Sequence, residues 1–177
     1  MGKITKRGLI LRIWIGITAT VLWMALIFWF SAQDSDQSGS LSGDLLRRLL
    51  SLVIPNWKEL GVAQRWRYLA RLHTLFRKLG HFTEYTVLGT LLALTLRRIE
   101  KFIRKSRQTR SVIWAFWLPA LLALLYAASD ELHQQYVAGR SCELRDVCID
   151  FSGACLGIII AGLIMRIITR ITKEEKE

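Results

Sequence analysis

The sequence predicts an all-α, polytopic membrane helical bundle with four transmembrane helices and amphipathic helices in the first outer loop, and three observations carry that expectation. The chain is 52% hydrophobic with seven Trp, a high apolar share for a soluble domain in which 22% of residues are charged. The apolar residues gather into four runs of about 17 to 22 residues, the length a helix rising 1.5 Å per residue needs to cross roughly 30 Å of hydrocarbon. Basic residues collect in the segments that alternate with those runs, as they do in membrane proteins. One domain over residues 1–177 accounts for the whole length.

The first run, Ile13 to Phe30, sets a helix at about residues 10–30. Lys3, Lys6 and Arg7 precede it as they would a secretory signal. The run is nonetheless too long for a signal core, and Phe30-Ser31-Ala32 is a poor cleavage site, so the helix is expected to be retained. The outer loop of about 31–78 follows. Leu45, Leu46, Leu49, Leu50 and Val53 have helical spacing before Pro55 and Asn56 break it. Trp66, Leu69, Ala70, Leu72, His73 and Phe76 repeat the pattern among Arg65, Arg67 and Arg71. Two amphipathic helices lying in the outer headgroup layer, or capping the bundle, both fit.

The second helix is expected at about 79–97, interrupted by His81 and Glu84; the third at about 112–130, where Pro119 introduces a kink; the fourth at about 147–169. On the fourth, Asp146, Asp150, Gly153, Ala154, Gly157 and Ala161 recur every three or four residues. They form the small-residue stripe that lets membrane helices approach closely, so the two aspartates are expected to point into the bundle.

Orientation follows from charge. Arg97, Arg98, Lys101, Arg104, Lys105, Arg107 and Arg110 fill the second loop, with basic residues also in the N-terminal segment and in the tail at Arg170, Lys173 and Lys176. The positive-inside rule places these segments, and both termini, in the cytoplasm of a multi-pass protein. The net charge of +11 is then a topology signal, and nucleic acid is not the expected partner.

With this topology the ionisable residues of the apolar runs converge on one leaflet. His81 and Glu84 share a face at the start of the second helix, with Lys78 one turn before. Asp130, Glu131, His133 and Gln134 end the third helix, and Asp146 and Asp150 begin the fourth. Ionisable groups at membrane depth are costly and mark a site by default.

Three segments stand out together: Phe30-Ser31-Ala32-Gln33 followed by Ser38, then Arg77 to Tyr85 (RKLGHFTEY), then Ser129 to Tyr136 (SDELHQQY) running on to Gly139-Arg140, Asp146, Gly153 and Gly157. In combination they resemble the VanZ family. Ala138 stands where the family often has proline, and Asp150 where it often has asparagine. The resemblance implies a bacterial cell-envelope protein of the cytoplasmic membrane with a role in resistance to glycopeptide antibiotics, teicoplanin above all. Its implied partners are membrane lipids, lipid-linked envelope precursors or the lipid-tailed drug itself.

The chemistry of the cluster stays open between three roles. His81, Glu84, Asp130 and His133 could hold a divalent metal. His81, Glu84, Asp130, Glu131 and His133 could instead supply acid/base catalysis, with Lys78, Tyr85, Gln134, Arg140, Asp146, Asp150 and Gln33 binding substrate. Or the network locks the helices, Lys78 pairing with Glu84 or Arg140 with Asp146. The function classes follow: a site that binds or modifies a lipid-linked envelope component, a lipid hydrolase or transferase, and a non-catalytic membrane partner or chaperone. Cys142 and Cys148 could pair, whereas Cys155 reads as a free thiol.

Overall fold

The computed structural model describes residues 6–33, 44, 46–57, 59–103, 112–137 and 142–174, and these are helical with no strand among them. The main elements are α1 (Lys6–Ser31), α2 (Val62–Ile103), a π-helical turn (Ile113–Trp117) leading into α3 (Leu118–Gln134), and α4 (Leu144–Glu174). Arg140, Ser35, Ser38, Ser40 and the basic positions 104–110 lie outside the described residues.

Direct contacts fix the helix directions. Lys78, in the middle of α2, meets Asp146 near the start of α4, and Arg97, toward the end of α2, meets Met165 further along α4, so α2 and α4 run parallel. Helix α1 runs against α2: Gly16 lies beside Thr95, and the Trp23 Nε1–H donates to the carbonyl of Glu84 at 2.9 Å. Helix α3 runs parallel to α1, since the Tyr126 hydroxyl donates to the Met24 carbonyl at 2.6 Å and the Gln134 amide donates to the Ser31 hydroxyl at 2.8 Å. Helix α2 touches all three of the others and forms the centre of the bundle.

The tightest contact is α2 against α4. A β-carbon at Gly153, Gly157 or Gly89 would collide with the carbonyl oxygens of Phe82, Thr86 and Ala154 respectively, so all three positions require glycine for backbone to meet backbone. Ala154 and Ala161 are wholly buried on the same stripe, and Thr90 seals the contact by donating its hydroxyl to the Gly157 carbonyl at 3.1 Å. The inward stripe expected on the fourth helix is therefore the packing face. Around it, Ile27, Tyr85, Leu88, Ala123, Ala127 and Ala154 form one buried cluster, and Ala93, Ala120, Ile158 and Ala161 a second one toward the far end.

Among the described residues three helices, and not four, are long and apolar enough to cross a membrane by length and composition: Lys6–Ser31, Ile113–Gln134 and Leu144–Thr172. The expected span at 79–97 falls short because His81, Thr83, Glu84, Thr86, Thr90 and Thr95 dilute it. Its central position accounts for this composition, since a helix covered by protein on three sides has little surface to present to lipid and can carry polar side chains. The other helices show the complementary pattern. Leu11, Trp14 and Leu22 on α1, Leu121 and Leu125 on α3, and Ile159 and Ile167 on α4 are exposed apolar residues.

One further expectation is corrected. The second amphipathic segment is not a separate helix lying in the headgroup layer. It is the first part of α2, a continuous helix of 42 residues, which at 1.5 Å per residue is about 63 Å long. No breaker separates Phe76 from Leu79, and Gly80 alone does not interrupt the helix. The first amphipathic segment forms a short helix over residues 46–53. Leu46, Leu50 and Trp57 are buried there against Leu69, Leu72 and Phe76 of α2, in a small core of its own. Asn56 takes a left-handed conformation at φ 60° and turns the chain back. Pro119 lies within the continuous helix Ile113–Gln134, directly after its π-helical turn, so its missing N–H falls where the bonding changes from π to α.

Gly157→Ala should destabilise the detergent-purified protein by about 1–3 kcal/mol, as overpacking a tight interface does. Gly162→Ala, with nothing within 4 Å of the added carbon, should leave thermal unfolding unchanged or slightly higher. Equal effects of the two substitutions would show that the α2–α4 approach does not limit stability.

Candidate functional site

The antiparallel arrangement brings the C-terminal ends of α1 and α3, the start of α4 and the middle of α2 to one end of the bundle. The residues there divide into a rim and a buried centre.

At the rim, the Lys78 ammonium contacts the Asp146 carboxylate closely and lies 3.9 Å from Glu143. The side chains of Lys78 and Asp146 keep 13% and 19% exposure, so this ion pair is half-sheltered and ties α2 to the first turn of α4. The pairing expected from sequence, Lys78 with Glu84, does not form: Glu84 lies a turn and a half deeper and turns toward His81. Glu131 is also a fastening. It is buried, and its Oε2 accepts the backbone N–H of Glu143 at 3.0 Å, where a carboxylate satisfies a free donor at the start of α4. Gln33 sits half-buried in the turn after α1, its backbone N–H donating to the Phe30 carbonyl.

The centre holds the buried Tyr85, Asp130, Gln134 and Asp150, with His81 and Glu84 at its edge, their side chains 17% and 24% exposed. Asp130 and Asp150 are 2% and 1% exposed, and Tyr85 is fully buried. One donor atom from each of His81, Asp130 and Asp150 lies within 4.8 Å of the other two, and each comes from a different helix. On one side, Glu84 Oε2 lies 3.6 Å from His81 Nδ1. On the other, the Gln134 amide donates to both Ser31 Oγ and, at 3.3 Å, Asp130 Oδ2. Gln134 thus fixes the Asp130 carboxylate from α1 and α3 together.

Asp150 differs from its neighbours: neither of its carboxylate oxygens has a hydrogen-bond partner among the described residues, and the Tyr85 hydroxyl is also without one. A buried carboxylate lacking donors is expensive, because its hydration has been lost and not replaced.

The structure therefore brings together most of the residues singled out in the sequence, in a different grouping. His81 and Asp130 stand together as expected. The third member of the cluster is Asp150, where sequence spacing pointed to Glu84 and His133. His133 shares the face of Asp130 in projection, but its ring stacks on Phe28 with centroids 4.5 Å apart, so it packs between α3 and α1. Ser31, wholly buried, enters the site through Gln134 without having been assigned a role there; its place at the end of an apolar run was the signal available. Cys142, Cys148 and Cys155 are all free thiols.

The donor set of imidazole and carboxylates suits proton transfer or the ligation of a hard or borderline cation. The family model described as VanZ/LLP1 matches residues 16–166, a span that enters all four main helices and contains every residue of the buried centre. No curated protein and no solved structure matches the chain.

Removing one partner of the rim ion pair should cost more than removing both. Lys78→Met, which strands Asp146, should lower stability by about 2–4 kcal/mol, and the double variant Lys78→Met/Asp146→Leu should recover most of the loss. A double-mutant cycle in thermal unfolding reads the coupling. Additive losses would show that the pair carries no net interaction.

Proposed function

From the premise that the chain belongs to the VanZ/LLP1 family, we propose that it is a bacterial cytoplasmic-membrane protein whose buried polar centre binds or modifies a lipid-linked cell-envelope component. Its role in the cell is protection against glycopeptide antibiotics of the teicoplanin type. The observation that carries this reading is Asp130, Asp150 and His81 converging at one end of an otherwise apolar bundle. Ionisable groups are kept at such depth when they act on something. The rim supports the division of labour: Lys78, Asp146 and Glu131 already have partners that fasten the helices, which leaves the inner residues for the ligand.

All four helices cross the bilayer in this reading. Helix α2 lies beside α4 from Lys78 opposite Asp146 to Arg97 opposite Met165, so if α4 spans the membrane this stretch of α2 occupies the same depth. An even number of crossings puts both termini on one side. Arg7, Arg97, Arg98, Lys101 and Arg170 share that end, which is accordingly the cytoplasmic one. The polar centre then opens toward the outer leaflet, at the depth of lipid headgroups. An anionic headgroup can be held there while its tail stays in the hydrocarbon.

Topology is tested by thiol labelling in a Cys148→Ser/Cys155→Ser background. Cys142 should react in intact cells with a membrane-impermeant maleimide, and a cysteine placed by Lys101→Cys should react only after lysis. The reverse pattern moves the site to the cytoplasmic face.

The function is tested by resistance. Asp130→Asn and Glu84→Gln should each lower protection against a lipid-tailed glycopeptide by about tenfold or more, the scale of losing one contact essential to binding or turnover, while membrane abundance stays near normal. Protection against glycopeptides without a lipid tail should be weaker in the wild type. Equal protection against both drug classes, or unchanged resistance in both variants, defeats the proposal and favours a non-catalytic partner role.

A further inference from the structure

We propose that His81, Asp130 and Asp150 form a binding site for one divalent transition-metal ion in the centre of the bundle. Asp150 is 1% exposed and both of its carboxylate oxygens lack a hydrogen-bond partner among the described residues, which leaves them available to a bound species. The nearby ammonium of Lys78 does not meet the need, since it is committed to Asp146 and Glu143 at the rim. A water molecule could donate hydrogen bonds to Asp150 but brings no positive charge to a carboxylate that lies beside the equally buried Asp130. A divalent cation satisfies both requirements.

The geometry agrees. Donor atoms bound to one ion at about 2.0–2.2 Å lie no more than roughly 4.4 Å apart, and those of His81, Asp130 and Asp150 already lie within 4.8 Å of one another. Small side-chain movements close the site. The surroundings resemble the outer shell of a metal centre. Glu84 sits on the Nδ1 side of His81 and Gln134 holds Asp130 Oδ2, the kind of contacts that orient ligating imidazoles and carboxylates. With Glu84 beside Nδ1, the ligating nitrogen in this proposal is Nε2.

One nitrogen and two carboxylates select the metal. Ca2+ prefers six to eight oxygen ligands, and Mg2+ keeps a shell of water, whereas an imidazole beside carboxylates favours Mn2+, Fe2+ or Zn2+. Three protein ligands leave at least one coordination position open. On the reading of the site as a headgroup site, that position takes an anionic oxygen of the lipid-linked ligand. Because the ligands come from α2, α3 and α4, the ion also joins three helices and raises stability by mass action.

The test uses the full chain, purified in detergent, stripped with EDTA and incubated separately with Mn2+, Zn2+ and Mg2+. After gel filtration, the metal content is counted by mass spectrometry and thermal unfolding is measured. Wild type should retain about one Mn2+ or Zn2+ per chain and little Mg2+, with a higher unfolding temperature when loaded. Asp150→Asn and His81→Gln should each reduce retention by about tenfold or more and abolish the thermal shift. Glu131→Gln should retain the ion. Where Asp150→Asn does not elute as a folded protein, His81→Gln carries the comparison. Two results overturn the site: a folded wild type that retains no ion, or retention that survives both ligand substitutions. The outcome separates from that of the function proposed above, since a metal-free protein that still protects cells loses only the ion. A loaded protein that confers no protection loses only the function.

Discussion

The close approach of α2 and α4 is the constraint on which the rest of the molecule depends. Gly89, Gly153 and Gly157 let the two backbones touch, and they do so in a setting where apolar side chains gain little by leaving lipid for protein. Packing must therefore come from proximity itself, and proximity fixes register. Once Gly157 is seated on Thr86 and Gly153 on Phe82, one turn back along α4 brings Asp150 to the level of His81, and a further turn brings Asp146 to Lys78. The buried polar centre and the ion pair beside it are consequences of where three glycines fall.

Much of this was legible in the sequence. The small-residue stripe on the last helix names its own buried face, because a period of three to four residues fixes direction around a helix without reference to any partner. The convergence of charges on one end was readable from the expected topology, since successive membrane crossings must alternate in direction. The number of apolar spans was not. Residues 79–97 were counted with the other runs, yet the polar positions that weaken this segment reflect its central place, a property of tertiary arrangement that hydropathy along one segment does not contain. The continuity of α2 was hidden in the same way: a change from amphipathic to apolar composition reads as a boundary, although the backbone has no reason to stop between Phe76 and Leu79.

The site itself was legible by membership and illegible by rotation. Spacing places Asp130 and His133 on a common face of α3, and that is correct to within a fraction of a turn. The fraction matters. It sends Asp130 toward α2 and α4 and sends His133 onto the ring of Phe28 in α1. Asp150 was read as a substrate-binding residue, one turn deeper than Asp146 on the fourth helix. The register set by the glycines brings it, like Asp130, within 4.8 Å of His81.

The division between rim and centre carries a physical argument about how a membrane protein can keep charge at depth. Charges whose only role is to join helices should be paired, and placed where water can still help them; Lys78 and Asp146 are joined and partly exposed. Glu131, more deeply buried, has the backbone N–H of Glu143 as a donor. Asp150 follows neither rule. Hydrophobic packing of similar volume would stabilise that position better than a carboxylate with no donor, so its retention is not explained by holding the bundle together. An asparagine there could meet part of the hydrogen-bonding need without adding charge. The extra charge becomes intelligible only when a positive or donating species completes the cluster, and Asp130 and His81 are positioned to share it.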